Sequence, residues 1–525
     1  MVSEKKKGLK RISANYGRLV ATMIMGIITV PLQVKWLGIE GFGLIGLVGS
    51  SVGLGMMFQD MMRSSMVREL GAAWHKNDER AFRSAYAASF QTSIGVMLIT
   101  ALFFTGIIFI LPYMNIKETW IAPAQWITMC EGLATCIIVL ASPSVSMLVV
   151  RECFFWHNLW TVLRRSAYLI ATVIPFLILK EPDITKGLYQ YGTIVFIINA
   201  SVTILVVIGF ALMDKQMTPT CKGSTKDSLK KVVSTFGWNS GVVVAMNLHE
   251  RIANFIMNLF FGLWGNAIFS LALRLVSYIR MTTLGLTFGL DAVSARISST
   301  KNSESMKNMF RHSTRMLGFI AFPAMIIVFV FVEPLLRMWV GRSVSDPATM
   351  LPPTEILVKI MVIGLTCRAV SDGWMKLFYG AGHINKYAPY VFAGGLFNPL
   401  LAILFIYALP DSANYTGAAI AYSIVFLVVH AIIMPAVTAH CINMTFKEIT
   451  IPSIRPLIIA IAASPCLFIN SVIYDSIQIG WIQILIAVGL FGVVYVGLSL
   501  KLLLSTDERS RIISIVKRIS NHQED

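Results

Sequence analysis

Apolar runs of about 20 residues recur along almost the whole chain, broken by short segments where lysine, arginine, glycine and proline gather. At about 1.5 Å of rise per residue, each run makes a helix that crosses the roughly 30 Å hydrocarbon layer of a bilayer. The pattern predicts fourteen such helices, over residues 13–36, 41–62, 85–113, 121–150, 162–180, 188–213, 235–261, 266–290, 314–334, 355–377, 388–409, 415–437, 455–474 and 479–502. Pro143 falls near the end of the fourth, where neighbouring helices satisfy the carbonyl that a proline frees. The expected fold is an all-α polytopic membrane protein.

Composition agrees. The 525 residues are 56% hydrophobic and 14% charged, against about 25% charged in an average soluble protein. The basic opening "MVSEKKKGLKR" and the run behind it resemble a secretion signal. That run is too long for a signal core, however, and bulky "VPLQVKWLG" stands where a small-residue cleavage site would be. It reads as a retained first membrane helix. The seven cysteines are scattered without paired spacing, so they are expected to be apolar packing residues and no metal site is predicted.

A net charge of +17 raises the question of nucleic acid. Its placement answers otherwise. With the N-terminus inside and residues near the run ends counted with the adjoining loops, 33 of the 44 lysines and arginines fall on the cytoplasmic side, six on the opposite side and five deep within the runs. Such asymmetry orients a membrane protein, with both termini cytoplasmic and the basic loops facing anionic lipid. Nothing further favours a nucleic-acid partner.

The chain also matches itself. A shift of 224 places Asn15 on Asn239, Gly17 on Gly241, Val20 on Val244, Ala21 on Ala245, Gly38 on Gly262 and Gly41 on Gly265. At 228, Arg68 falls on Arg296, Phe82 on Phe310 and Arg83 on Arg311. The four-residue slip is about one helical turn. Helices 1–6 and 7–12 therefore read as two copies of one unit, inserted in the same orientation, with a substrate expected between them. The organisation this predicts is an N-terminal lobe over 1–213, a cytoplasmic linker over 214–234, a second lobe over 235–437, helices 13 and 14 over 438–505, and a tail over 506–525.

The repeat provides an internal control for the chain's oddest stretch, "AMNLHERIANFIM" at 245–257. His249, Glu250 and Arg251 correspond to Met25, Gly26 and Ile27, so the fold itself does not require charge there. Arg274 likewise faces Ser50 or Gly46 in the other copy. A charge at mid-membrane costs about 2.5–3.5 kcal/mol on insertion scales and faces a partner or a cavity. Arg274, on one stripe with Ser277, Tyr278 and Met281, is a candidate cavity cation or a structural pair. The His249–Glu250–Arg251 group is equally a binding site or a buried ion-pair network. Arg18 sits near the cytoplasmic interface, snorkelling to lipid or lining an opening between lobes. Arg368, Asp372 and Lys376 are spaced for ion pairing along one helix face, and Glu355 and Lys359 for a second pair. Glu250, Glu131 and Asp60 are the acids available for coupling to an ion. Trp36, Trp120, Trp126, Trp339 and Trp481 are placed as an aromatic belt. The glycine cluster "GLVGSSVGLG" lacks the Gly-Lys-Ser/Thr ending of a nucleotide loop, and neither a catalytic motif nor a cofactor site is predicted.

Two stretches carry a family resemblance. "ANYGRLVATMIMGIITVPLQVKWLGIEGFGLIGL" (14–47), with Gly38, Phe42 and Gly43 in its tight loop, resembles the opening of bacterial polysaccharide flippases. "FGLWGNAIFSLALRLVSYI" (261–279) resembles the entry to their second lobe, with Arg274 at an often basic position, and "YGAGHINKYA" (379–388) resembles the loop before their helix 11. These belong to the multidrug/oligosaccharidyl-lipid/polysaccharide exporter superfamily. The resemblance implies two six-helix lobes in a V, plus two C-terminal helices, that expose a central cavity alternately to each side. The implied substrate is a polyprenyl-diphosphate-linked oligosaccharide, flipped across the bacterial cytoplasmic membrane for surface polysaccharide synthesis, with other polysaccharide-assembly proteins as possible partners. Arg274, Arg251, His249 and Arg18 are the expected substrate-binding residues. The first two helices carry fewer arginines than is usual in lipid II flippases, which favours a repeat-unit flippase. The alternative is a cation-coupled multidrug exporter, which calls for acids rather than arginines in its cavity. A membrane polymerase or ligase would want a sizeable external loop, and the longest, about 335–354, is short.

Overall fold

The computed structural model describes residues 2–75, 78–214, 217–234, 237–287, 290–299, 303–468 and 480–503, and among these there is no strand. The helices in chain order are α1 (Val2–His75), α2 (Glu79–Ile110), α3 (Glu118–Leu140), α4 (Ser142–Val150), α5 (Phe154–Val173), α6 (Ile184–Met213), α7 (Lys226–Ser234) and α8 (Gly237–Asn247). They continue as α9 (Ala253–Thr287), α10 (Leu290–Ser299), α11 (Ser303–Leu336), α12 (Pro347–Gly380), α13 (Ile384–Ala408), α14 (Gly417–Phe426), α15 (Met434–Ile442), α16 (Phe446–Ala463) and α17 (Trp481–Leu502). The expected tail over 506–525 lies outside the described residues.

Among the described residues, twelve continuous helical stretches are long and apolar enough to cross a membrane. Two of them, Asn15–His75 and Ser240–Thr287, contain 61 and 48 residues. As straight rods they would reach about 90 and 70 Å, well beyond a bilayer. Both are broken by a glycine outside helical geometry, Gly38 (φ 70°, ψ −176°) and Gly262 (φ 62°, ψ −159°). That backbone region is closed to almost every residue with a Cβ. Each stretch folds there into two limbs, and counting limbs brings twelve to the fourteen expected.

Gly38 and Gly262 are the residues that the 224 shift superposes, so the repeat is built into the backbone as well as the sequence. The limbs pair across the two lobes: the first of α1 against the second of α9, and the second of α1 against the segment running into α9. Gly46 and Ser270, also superposed by the 224 shift, meet each other, and a Cβ on Gly46 would strike Ser270 Oγ. Equivalent positions touch only on a two-fold axis. Around it, Asn254 Nδ2 donates to Ser50 Oγ (2.7 Å) and Ser270 Oγ donates to Asn254 Oδ1 (3.2 Å). At the kinked end Gly43 lies so close to the Leu263 carbonyl that a side chain there would collide with it.

Within the first lobe, Phe104, Ile127, Leu188 and Tyr191 pack around the second limb of α1. The second lobe buries Phe269, Met361, Tyr422 and Phe426. The linker helix α7 clips onto the first lobe, where Ser65 Oγ donates to the Val232 carbonyl (2.5 Å) and Ser84 to Ser228 (3.0 Å). The last two helices dock on α11, with Tyr495 stacked on Phe319 and donating to its carbonyl (3.0 Å). Leu98, Leu102 and Phe109 on α2, and Ile482, Leu485 and Val493 on α17, stay exposed. In a membrane protein such faces meet lipid. Trp36 departs from the expected aromatic belt: it is 7% exposed, stacked against Phe176 in a slot left by Gly187.

Candidate functional site: an arginine-lined space between the lobes

The three charged residues of "NLHERI" lie on a π-helical turn, Leu248–Ile252, inserted between α8 and α9. A π turn offsets successive side chains from the α-helical register. Here it sends three neighbours to three different places.

His249 points into the second lobe and is fully buried. Asn398 Nδ2 donates to its Nδ1 (3.1 Å) and to its carbonyl (3.3 Å), and Phe426 lies edge-on at 4.8 Å. Glu250 enters an ion network in the same lobe: Arg368 Nη1 donates to it at 2.5 Å and Arg280 Nη1 at 3.4 Å. Arg280 in turn holds Asp372 through Nε (2.7 Å) and Nη2 (3.4 Å). Two acids and two arginines balance. The pairing expected along α12 is therefore replaced: Arg368 and Asp372 both reach to other helices, and Lys376 lies exposed. Glu355 and Lys359 do pair, at 2.7 Å.

Arg251 alone of the three turns to the lobe interface. Its guanidinium lies across Gly53 of the opposite lobe, where even a methyl group would displace it. Arg274 approaches the same space, its guanidinium 5.7 Å from the centre of the Phe42 ring. Neither residue makes an ion pair among the described residues.

The first lobe contributes more arginines than its sequence pattern suggests. Arg164 and Arg165 fall at the start of the run over 162–180 and are counted with the cytoplasmic loop before it in the pattern-based topology. The structure starts the helix earlier, at Phe154, and places both arginines in the middle of α5. The helix is strongly two-faced. His157, Asn158, Thr161, Arg164, Arg165, Tyr168 and Thr172 form a polar stripe at helical spacing. The stripe is met on every side. Arg63 pairs with His157 (2.7 Å), Asn158 donates to Asn15 (3.1 Å), Tyr168 donates to Glu131 (3.4 Å) and Gln33 to Thr172 (3.3 Å). Arg164 Nε donates to Asn199 (3.2 Å), and its guanidinium stacks over Trp160 at 4.7 Å.

Arg165, beside it, is exposed and has no ion pair among the described residues. Arg18, Arg251 and Arg274 all lie within electrostatic range of it. So do the acids Asp60, which is exposed, and Glu131, which is 4% exposed. Of the residues predicted from sequence, Arg251 and Arg274 reach the lobe interface, Arg18 and Asp60 lie within electrostatic range of Arg165, and Glu131 is buried inside the first lobe against Tyr168. The structure places His249 and Glu250 inside the second lobe. Arg63, Arg164 and Arg165 were missed, and the amphipathic period of residues 154–173 is the signal that reveals the latter two. A separate cleft of about 760 Å³, lined by Glu333, Arg337, Arg342, Glu355 and Trp481, contains none of them.

Two six-helix lobes, each broken at its equivalent glycine, thus meet around a charged interior. The MatE family matches residues 243–404. The fold is that of the MOP superfamily. A multidrug resistance MATE transporter in its inward-facing conformation superposes with a TM-score of 0.65 at 14% identity, over 79% of this chain and 95% of that one. The lipid II flippase MurJ, inward closed, gives 0.65 at 15% identity over 92% of this chain and 98% of that one. A MOP-superfamily transporter from Pyrococcus furiosus, described as having a binding pocket of reversed polarity, gives 0.60 at 15% over 83% and 97%. No curated protein matches by sequence. The chain thus shares its fold with these transporters and has the apolar helices of a multi-pass membrane protein.

Proposed function

We propose that the chain flips a polyprenyl-diphosphate-linked oligosaccharide from the inner to the outer leaflet of a bacterial cytoplasmic membrane, for surface polysaccharide synthesis. One observation supports the reading: Arg165, Arg251 and Arg274 lie within electrostatic range of one another, and none of the three makes an ion pair among the described residues. Unpaired guanidinium groups in a low-dielectric space attract an anion strongly, and their planar forks match diphosphate oxygens in pairs. The lipid tail stays in the bilayer while the sugars cross between the lobes. Asp60 and Glu131, within electrostatic range of Arg165, are the acids we assign to coupling an ion to that movement. Both termini are cytoplasmic in this reading, and other polysaccharide-assembly proteins are candidate partners.

The coverage of 92% in the lipid II flippase comparison, against 79% for the multidrug transporter, supports the reading. The second reading, cation-coupled drug export, rests on the MatE match and the MATE superpositions. The cationic interior argues against an organic cation as cargo. Deletion of the gene in its host separates the two: loss of surface polymer with lipid-linked units retained on the cytoplasmic face supports the first. Unchanged polymer, in a strain without a second flippase, together with drug sensitivity, overturns it.

A further inference from the structure

The arginines between the lobes fall at two depths. Counted along the helices from the Gly38 and Gly262 breaks, Arg251 and Arg274 lie about 17–18 Å down, and Arg18 and Arg63 about 30–38 Å. One pair is thus near the middle of the bundle and the other near the end where the chain begins. A gap of roughly 12–20 Å separates them, more than one diphosphate group spans. Arg165 stands in that gap. It lies eight residues beyond His157, the partner of Arg63, which sets it about 12 Å further from that end. Arg18 lies within electrostatic range of Arg63 and Arg165, while Arg251 and Arg274 lie within range of Arg165 as well.

Its neighbour shows what an arginine fixed in structure looks like here. Arg164 is tied to Asn199 and stacked on Trp160, with Glu131 and Asp60 nearby. Arg165 shares the nearby acids but has neither the hydrogen bond nor the stacked ring, and it is exposed. A long side chain on a rigid helix, free at its tip, sweeps several ångströms at little cost.

We infer that Arg165 is the handover residue of the transport path, taking an anionic phosphoryl group from Arg18 and Arg63 and passing it to Arg251 and Arg274. The inference rests on the flippase reading and adds a division of labour to it. The near pair captures, the far pair retains, and Arg165 governs passage between them. Binding and translocation then depend on different arginines.

The test uses the full chain reconstituted in lipid vesicles, with Arg165→Ala, Arg165→Lys, Arg165→Gln and, as a control away from the site, Lys376→Ala. Binding is measured with polyprenyl diphosphate in the vesicle membrane and with inorganic pyrophosphate, and translocation with the same polyprenyl diphosphate. The expected result for Arg165→Ala is binding within about threefold of wild type and translocation lower by about 10- to 100-fold, the scale of one lost charge-assisted contact. Arg165→Lys restores part of the rate and Arg165→Gln does not. If Arg165→Ala flips at the wild-type rate, or if binding and rate fall together, the handover role is overturned while the flippase reading stands. If the wild-type protein binds neither probe, that reading fails and the handover with it.

Discussion

The Glu250–Arg368–Arg280–Asp372 network makes a sharp prediction about stability. Arg368 is 2% exposed and donates to Glu250 at 2.5 Å. Replacing it with methionine keeps most of the volume but leaves Glu250 with only Arg280, at 3.4 Å and already engaged by Asp372 at 2.7 and 3.4 Å. The network then holds two acids and one arginine. Removing one partner of a buried pair costs about 3–5 kcal/mol, because it strands the other charge. That is a factor of roughly 10²–10³ or more in the folded population. Replacing both, as Arg368→Met with Glu250→Leu, removes the stranded charge and leaves Arg280 paired with Asp372. Most of the loss should return. The assay is thermal unfolding of the purified protein in detergent for wild type, the two single variants and the double variant, read as a double-mutant cycle. A double variant no more stable than Arg368→Met alone refutes the reasoning. A double variant that is stable but transports nothing shows that the network works in transport as well as in folding.

Other predictions follow from close contacts. Gly53→Leu pushes the Arg251 guanidinium out of its seat and should reduce transport about as much as Arg251→Ala, while expression and unfolding temperature stay near wild type; unchanged transport separates Arg251 from the path. Gly38→Ala and Gly262→Ala each place a Cβ where φ is 70° or 62° and should each cost about 1–3 kcal/mol; a large difference between them in unfolding experiments would deny their equivalence. Tyr495→Phe removes one hydrogen bond to the Phe319 carbonyl while keeping the stacked ring, and should cost about 0.5–1.5 kcal/mol, with transport intact in the vesicle assay.

Much of the architecture is legible in the chain because its signals are long. A run of 20 apolar residues survives local exceptions, and a repeat register accumulates over dozens of positions until Gly38 and Gly262 stand out together. The site is legible only in part. Arg274 and Arg251 are conspicuous because their counterparts in the first copy are small or apolar. The separate destinations of His249, Glu250 and Arg251 are not, because a five-residue π turn has no sequence signature, and an α-helical wheel assigns them the wrong faces. Arg164 and Arg165 fail for a different reason. Topology rules treat arginine beside an apolar run as a loop marker, and a helix that hides a polar stripe inside a lobe breaks that rule. The within-helix pairing on α12 fails because buried charges choose the nearest opposite charge in space, here on α9 and the π turn.

The contact of Gly46 with Ser270 has a consequence for how firmly the molecule holds shut. Two lobes joined by the chain meet at high effective concentration, on the millimolar scale for a short tether, so their association needs little intrinsic affinity. A residue on the axis must accommodate its own counterpart, and glycine against serine does so with little area to grip. Away from the axis the seam is a shared core, where Val30, Val34 and Phe42 of the first lobe are buried among Ala267, Ile268 and Leu271 of the second. Parting the lobes at the axis exposes only a few hydroxyl and amide groups that water accepts readily, so the cost of opening is set by this flanking apolar contact.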